Sequence, residues 1–192
     1  MHADLLLVCH ASTAARRSAS FPAGEPLDPQ GEIDARAAAI AMGALRPARL
    51  CCAPAPAARQ TAAALSLFGG LQPVVEPAIR DCDFGRWSGR PMSDVAREEP
   101  EAFRSWMTGA ASRSHGGESL AELLGRVATW VDSCRSLEGA TVAVTHPAVI
   151  RAAIVHAIEA TPATFWHLDI GPLSQAWLRS NGARWALRSL RD

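Results

Sequence analysis

Two short apolar runs, each ending in a histidine, limit the folds open to this chain. Leu5 to Cys9 (LLLVC) precedes His10, and Thr141 to Thr145 (TVAVT) precedes His146. Each run is too brief for a helix and is typical of a strand buried on both faces of a parallel sheet. Ligands of such sheets bind beyond the carboxyl ends of the strands. We therefore expect the two histidines to open onto the same edge of one sheet.

Helical segments of about a dozen residues alternate with these strands. Asp28 and Pro29 are typical of a helix start, and Ser119 with Glu122 forms a capping box. In the first long helix Ile33, Ala37, Ile40, Ala44 and Leu45 share one apolar face. The predicted elements are strand Leu5 to Cys9, helix Glu32 to Leu45, strand Arg49 to Ala53, helix Ala57 to Phe68, strand Gln72 to Glu76, short helices Met92 to Arg97 and Pro100 to Met107, a helix from Ser119 through Leu137, strand Thr141 to Thr145, a helix from Pro147 to about Glu159, and a hairpin of Ala176 to Arg179 with Trp185 to Leu190.

This alternation predicts an α/β fold with three αβα layers and a mostly parallel, doubly wound sheet joined by right-handed crossovers. The segment 77–117 breaks the rhythm, because it holds several Gly and Pro residues and no long strand. We expect it to form a small cap insertion within a single domain spanning residues 1–192.

The composition narrows the classes of partner and compartment. Nineteen basic and nineteen acidic residues give no net charge, so no global basic field draws the chain to nucleic acid or to a membrane surface. The five cysteines form no C-x-x-C pair, which favours reduced thiols, and the start of the chain lacks the basic and apolar regions of a signal peptide. We expect a cytoplasmic protein whose oligomeric state is open, with a dimer possible.

Five blocks in order carry a resemblance to a known family. LLLVCHAST, ARQTAAAL, IRDCDFGRWSG, HGGESL and VAVTHPAVIRA are similar to the motifs of the histidine phosphatase superfamily, which has the phosphoglycerate mutase-like fold. Among its members the chain resembles the small branch of alpha-ribazole phosphatase and phosphohistidine phosphatase. The resemblance implies hydrolysis of a small phosphorylated metabolite through a phosphohistidine intermediate, without a metal or other cofactor.

The resemblance also implies roles for individual residues. His10 is the nucleophile, His146 holds the transferred oxygens, and Asp81 stands where the family usually has the Glu that protonates the leaving alcohol. Asp83 is the competing carboxylate in the same block. A neutral imidazole is a good nucleophile near pH 7, and an acid spares the enzyme from expelling an alkoxide.

Two departures from the family pattern concern the phosphate-binding arginines. Cys9 stands where the family has Arg before the nucleophile, and Ala57 stands at its second Arg position. Losing two such charged hydrogen-bond donors would cost about 3 to 6 kcal/mol. The candidate replacements are Arg16, Arg17 and Arg59, of which Arg16 is favoured because it lies in the loop after the nucleophile, and Thr13 is a further substrate-binding candidate.

The missing arginines keep a second hypothesis open. The chain is alternatively a catalytically inactive relative that binds a phosphorylated or acidic ligand, or a protein partner, without turnover. Arg151, one turn into the helix after His146, is expected to make a structural salt bridge rather than to bind substrate.

Overall fold

The computed structural model describes residues 2–43 and 46–191, which form helices around one six-stranded sheet. The elements are β1 Ala3–Cys9, α1 Ala14–Arg17, α2 Pro29–Ala41, β2 Arg49–Cys52, α3 Pro56–Gly69, β3 Val74–Val75, α4 Met92–Glu98, α5 Pro100–Thr108, α6 Leu120–Ser133, β4 Ala140–Thr145, α7 Pro147–Ala157, β5 Gln175–Ser180 and β6 Trp185–Arg191, with 3-10 turns at Pro77–Ile79, Gly85–Trp87, Cys134–Ser136 and Pro162–His167.

The strand order β3-β2-β4-β1-β5-β6 places the two histidine-bearing strands side by side at the centre. The first four strands in this order are parallel, and β5 pairs antiparallel with β1 on one side and with β6, its hairpin partner, on the other. In the register of β1 with β4, Cys9 lies opposite Thr145. His10 and His146 therefore leave the sheet from adjacent strand ends, and the predicted α/β fold with a mostly parallel sheet is confirmed.

The long helices form two pairs, α2 with α3 and α6 with α7. The connections through α2 and α3 lead towards β3, whereas the connection through α6 leads back towards the centre of the sheet. Right-handed crossovers that run in opposite directions along a sheet lie on its opposite faces. The two pairs therefore cover the two faces, which gives the three expected layers.

The apolar face predicted for the first long helix does not face the protein interior. Ile33 and Ile40 of α2 are 57% and 65% exposed, whereas Ala35 and Ala39 are buried. Gly31 shows the reason, because a Cβ atom there would lie 2.2 Å from the carbonyl oxygen of Ser12. The helix packs too closely for large side chains, so its small residues face inward.

The ends of this helix and one short helix also differ from the sequence prediction. α2 ends at Ala41, and the predicted members Ala44 and Leu45 lie outside the described residues. α1 occupies a segment that the sequence predicted as loop; Thr13 caps it by accepting a hydrogen bond from the Arg16 N–H. Arg16 and Arg17 therefore lie at the end of a short helix that follows β1 rather than in a loop.

The segment 77–117 folds into short helices around a small apolar cluster that it shares with Phe21. Phe21, Trp87 and Val95 are fully buried in this cluster. The loop around Asp83 packs tightly against the 115–117 turn, since a Cβ atom on Gly117 would lie 2.0 Å from the carbonyl oxygen of Asp83. This contact anchors the segment. Among the described helices, none is both long and apolar enough to cross a membrane.

Candidate active site

His10 and His146 meet at the carboxyl edge of the sheet. Both are buried, their ring centroids are 5.0 Å apart, and the rings are inclined at 70°. The backbone N–H of His10 donates to the carbonyl of Thr145, 2.9 Å away, which ties the end of β1 to the end of β4. The structure thus brings together the two rings that the sequence placed at the same edge of the sheet.

The hydrogen bonds of His10 determine which ring nitrogen can react. Its Nδ1 lies 2.8 Å from the carbonyl oxygen of Ala11, which can only accept, so Nδ1 carries the proton. The Nε2 lone pair is then free to attack. The loop that follows His10 is attached to α3, because the Thr61 hydroxyl accepts a hydrogen bond from the Ala11 N–H and donates one to the Ala57 carbonyl. Burial, and then the nearby His146, lower the pKa of His10, which keeps the ring neutral.

His146 is also kept neutral by burial, which lowers its pKa to about 4. Its Nδ1 lies 3.3 Å from Asp81 Oδ2 without the geometry of a hydrogen bond. Within the described part of the chain, neither of its ring nitrogens has a hydrogen-bond partner. A neutral imidazole carries one N–H and buried polar atoms are usually satisfied, so the protonated nitrogen of His146 is available to donate to a bound oxyanion.

Asp81 is the carboxyl group that accompanies the two histidines. Burial raises its pKa, although its Oδ1 accepts a hydrogen bond from the Cys82 N–H. The preceding turn is fixed to the sheet, since the Thr145 hydroxyl donates to the Ile79 carbonyl at 2.7 Å. Asp83, the competing carboxylate, is exposed and accepts from the Gly85 N–H. The geometry favours Asp81 as the acid.

A partly buried arginine on α6 holds the backbone that carries Asp81. Arg126 donates to the carbonyls of Ala78 and Arg80, at 2.7 and 3.0 Å, and more weakly to that of Asp81. Its guanidinium also forms a two-pronged ion pair with the buried carboxylate of Glu118. Because these donors are in a fixed fork, the turn before Asp81 is attached to α6 in one orientation.

Two cavities adjoin the histidine pair. The larger, of about 410 Å³, is lined by His10, Thr13, Arg16, Asp81 and Arg151 together with a wall of apolar side chains. The smaller, of about 220 Å³, contains both histidines and also Ala57. A volume of about 300 to 1,000 Å³ is typical of small-molecule sites. The larger cavity is thus of the size of a substrate pocket.

The favoured arginine candidate reaches the larger cavity. Arg16 lines it, and its Nη2 donates to the carbonyl of Ile170 at 2.6 Å. Thr13 is buried beside it and lines both cavities, where its hydroxyl donates to Glu25 at 3.0 Å. Both predicted residues therefore lie at the site.

The other two arginine candidates lie elsewhere. Arg17 makes two hydrogen bonds with the carboxylate of Asp28, at 2.7 and 2.9 Å, and points away from both cavities. Arg59 is an exposed residue of α3 and lines neither cavity. The structure therefore corrects the assignment of Arg17 and Arg59 as substrate-binding residues. The acidic partner Asp28 holds Arg17, and the helical rotation of α3 turns Arg59 outward.

The two positions that lack the family arginine differ in their surroundings. Ala57 is buried at the start of α3 and lines the smaller cavity. Cys9 is buried in the core, and burial raises the pKa of its thiol to about 12. The positive charges of Arg16 and Arg151 act in the opposite direction and lower the pKa of that thiol. Cationic groups from other positions thus lie near the place where the family supplies its first arginine.

Arg151 is a site residue that the sequence analysis assigned to a structural salt bridge. It lines the larger cavity, its Cζ lies 5.6 Å from the centroid of Phe165, and its Nε is buried without a partner. Burial, and then the charge of Arg16, lower its pKa. No carboxylate of the described residues lies within ion-pair distance, so the salt bridge prediction is wrong. In the sequence, only its position one turn after His146 indicated that Arg151 lies at the site.

Glu25 is a second carboxylate at the site that the sequence analysis missed. It lines both cavities and accepts hydrogen bonds from the Ala23 N–H and the Thr13 hydroxyl. Burial raises its pKa, but backbone N–H groups and Thr13 lower it by more, so the group is ionised. Nothing in the loop sequence distinguished it from other surface acids.

A parallel sheet that brings two buried histidines and a carboxyl group to one edge defines an α/β protein with a histidine-centred active site. The chain belongs to the histidine phosphatase superfamily, branch 1, whose family model matches residues 5–192. This membership confirms the resemblance that the five sequence blocks carry.

Three known proteins illustrate the similarity. The bifunctional protein Rv2228c of Mycobacterium tuberculosis is 32% identical over 134 residues, which are 68% of this chain and 37% of that protein. This chain thus spans about a third of the length of that relative. The mycobacterial glucosyl-3-phosphoglycerate phosphatase Rv2419c has a similar structure, with a TM-score of 0.87, 23% identity and 98% of each chain covered. A candidate alpha-ribazole-5'-P phosphatase from Escherichia coli gives a TM-score of 0.89 at 20% identity, covering 98% of this chain and 96% of that one. At these identities the structures establish the fold.

Proposed function

We propose that the protein hydrolyses a phosphate monoester of a small molecule through a phosphohistidine at His10. The observation that carries this proposal is the pair of neutral, buried imidazoles with a high-pKa carboxyl group beside them. Family membership and structural neighbours whose names describe phosphatases support it.

The reaction proceeds in two displacements. The Nε2 atom of His10 attacks phosphorus, the bond from phosphorus to the alcohol oxygen breaks, and Asp81 gives its proton to that oxygen. Water then attacks the phosphohistidine, Asp81 takes a proton from the water, and the phosphorus–nitrogen bond breaks to release inorganic phosphate. The protonated ring nitrogen of His146, which has no hydrogen-bond partner among the described residues, donates to a phosphoryl oxygen during both steps.

Arg16 supplies the positive charge that the family obtains from the positions of Cys9 and Ala57. It is the arginine of α1 that lines the larger cavity, and its acceptor is a backbone carbonyl rather than a carboxylate. A charged hydrogen bond of this kind contributes about 1.5 to 3 kcal/mol. We further propose that the protein works in the cytoplasm on a soluble phosphorylated metabolite, without nucleic acid or membrane as a partner.

The proposal is tested by trapping the intermediate. Purified protein is mixed with radiolabelled para-nitrophenyl phosphate, quenched, and examined for acid-labile, base-stable label on His10. We expect label and turnover, and the loss of both in His10→Ala. His156→Gln is the matched control, because His156 lies on α7 and pairs with Asp132 away from the site.

The neighbouring arginines provide a second matched pair. Arg16→Ala is expected to lower kcat/KM by about tenfold to a hundredfold, whereas Arg17→Ala, which loses only its exposed pair with Asp28, leaves kcat/KM within about twofold. Absence of both label and turnover in the native chain, together with binding of inorganic phosphate, favours the inactive binding protein that the missing arginines suggest. Equal effects of the two variants would refute the role of Arg16.

A further inference from the structure

The larger cavity continues from the histidines into a wall of apolar side chains. This apolar wall consists of Phe84, Met92, Trp106, Leu120, Leu123 and Trp166. The wall is built from the 77–117 segment, the start of α6 and the 3-10 turn at Pro162–His167. A leaving alcohol attached to phosphorus at His10 would extend along it.

The aromatic members of the apolar wall are held by one another. The ring centroids of Trp106 and Trp166 are 4.8 Å apart with the rings inclined at 77°, and Trp106 also lies 5.5 Å from Phe21, which is fully buried. Edge-to-face pairs of this kind are the favoured arrangement of aromatic rings. The wall is therefore formed before a ligand binds.

The charged groups of the cavity are accounted for by the phosphoryl group and the acid. Arg16 and Arg151 are its cations, and a phosphate with up to two negative charges requires them both. The carboxyl groups are Asp81, which acts as the acid, and Glu25, which is ionised. A second anionic group on the substrate would therefore meet a negative charge.

The hydroxyl groups of the cavity are also engaged within the protein. Thr13 donates to Glu25, and Ser20 shares a hydrogen bond of 2.9 Å with Ser18. A sugar or polyol enclosed by the apolar wall would leave its hydroxyls without partners, which costs about 1 to 3 kcal/mol for each buried group.

We infer that the substrates are phosphate monoesters of uncharged apolar alcohols with a body about the size of a phenylalkyl group. This inference rests on the proposed function and names its substrate class. The apolar body lies against the wall of Trp106 and Trp166 while the phosphoryl group lies between His10 and His146.

The test compares esters of four primary alcohols that differ in body: 2-phenylethyl phosphate, ethyl phosphate, glycerol 3-phosphate and phosphoserine. We expect kcat/KM for 2-phenylethyl phosphate to exceed each of the others by about tenfold to a hundredfold. Similar values for all four, or a preference for glycerol 3-phosphate or phosphoserine, would overturn the inference while leaving the phosphatase function standing.

A pair of tryptophan variants locates the preference in the wall. Trp166→Ala is expected to lower the ratio of kcat/KM for 2-phenylethyl over ethyl phosphate by about fivefold or more. Trp177→Ala is the control, because Trp177 is also half-buried but lies on β5, outside the cavity, where its indole N–H donates to Asp4. A ratio unchanged in Trp166→Ala contradicts the inference, and a ratio rather than a rate is insensitive to partial unfolding.

A binding measurement separates the inference from the proposed function. Calorimetry with 2-phenylethylphosphonate and with ethylphosphonate, neither of which can be hydrolysed, measures directly how much the apolar wall contributes to binding affinity. Tighter binding of the phenylethyl compound without turnover of any ester supports the apolar subsite and overturns catalysis. Equal binding of the two phosphonates overturns the apolar subsite, whether or not esters are hydrolysed.

Discussion

The charge states of His10 and Asp81 both follow from burial at the end of β1 and the turn after β3. Removal from water disfavours a charged group, so it lowers the pKa of the imidazole and raises that of the carboxyl. Below about pH 6 the resulting pair is a neutral imidazole beside a protonated carboxyl group. These are the two forms that the proposed first displacement requires.

The first prediction concerns this acid. Because Asp81 must carry a proton in the first step and its pKa is raised, kcat/KM is expected to be highest in weakly acidic solution and to fall as the pH rises through that pKa. Asp81→Asn should lower kcat by about a hundredfold or more on ethyl phosphate and much less on para-nitrophenyl phosphate, whose alcohol leaves without protonation. A larger loss in Asp83→Asn than in Asp81→Asn would reassign the acid.

Glu25 leads to a second prediction. Its negative charge lies in the cavity proposed to receive the phosphoryl group, so Glu25→Gln is expected to strengthen binding of inorganic phosphate by about fivefold, or about 1 kcal/mol. The amide oxygen still accepts from Thr13, which preserves the loop. Calorimetric titration provides the measurement, with the exposed Glu138→Gln as control. Weaker binding in Glu25→Gln would show that the carboxylate assists the ligand.

Among the elements, α6 does more than cover the sheet. It begins at a capping box of Ser119 and Glu122, as the sequence predicted, and its side chain Arg126 reaches the backbone in front of Asp81. The position of the acid thus depends on a helix far away in sequence. Sequence periodicity predicted this helix but could not show which of its polar residues turns inward.

A third prediction belongs to this contact. Arg126→Lys removes the forked donor, and we expect kcat to fall about tenfold with KM nearly unchanged, since Asp81 is displaced while the anion site is retained. The free energy of unfolding should fall by about 1 to 3 kcal/mol, because the lysine keeps a positive charge for Glu118 but loses the hydrogen bonds to the Ala78 and Arg80 carbonyls. Arg80→Ala is the control, because Arg80 pairs with the same Glu118 from an exposed position. A changed KM with unchanged kcat would argue against positioning.

The α2 helix shows a different limit of the sequence. Its isoleucines predicted an apolar packing face, yet the helix packs through Gly31, Ala35 and Ala39. Hydrophobic periodicity identifies the largest apolar side chains, whereas the distance between two packed backbones determines which residues fit. Where two backbones approach closely, only small residues fit between them.

At the scale of the whole molecule, the active site makes the fold sensitive to acid. The folded state holds His10 and His146 neutral with lowered pKa values, whereas the unfolded chain protonates both near pH 6.5. More protons bind to the unfolded state, so stability falls as the pH falls below 6.5. The raised pKa of Asp81 has the opposite sign and offsets part of this loss.

The fourth prediction is that net effect. Between pH 7 and pH 5 the free energy of unfolding should decrease by about 2 kcal/mol, which lowers Tm by about 4 to 8 °C. Carboxylates with lowered pKa values, such as Asp4, contribute only at lower pH. The measurement is a series of thermal unfolding curves, and His146→Gln should flatten the dependence on pH. An unchanged Tm over this range would show that the histidines are not held neutral.

Short apolar runs and helical spacing were sufficient to predict the parallel sheet and the edge that His10 and His146 share, because strands and helices follow from local patterns along the chain and right-handed crossovers bring the carboxyl ends of parallel strands to one edge. The choice among Arg16, Arg17 and Arg59, the release of Arg151 from a salt bridge and the approach of Glu25 were decided by tertiary contacts. An arginine side chain is long, and its direction depends on partners such as Asp28 and the Ile170 carbonyl, which only the folded chain brings within reach.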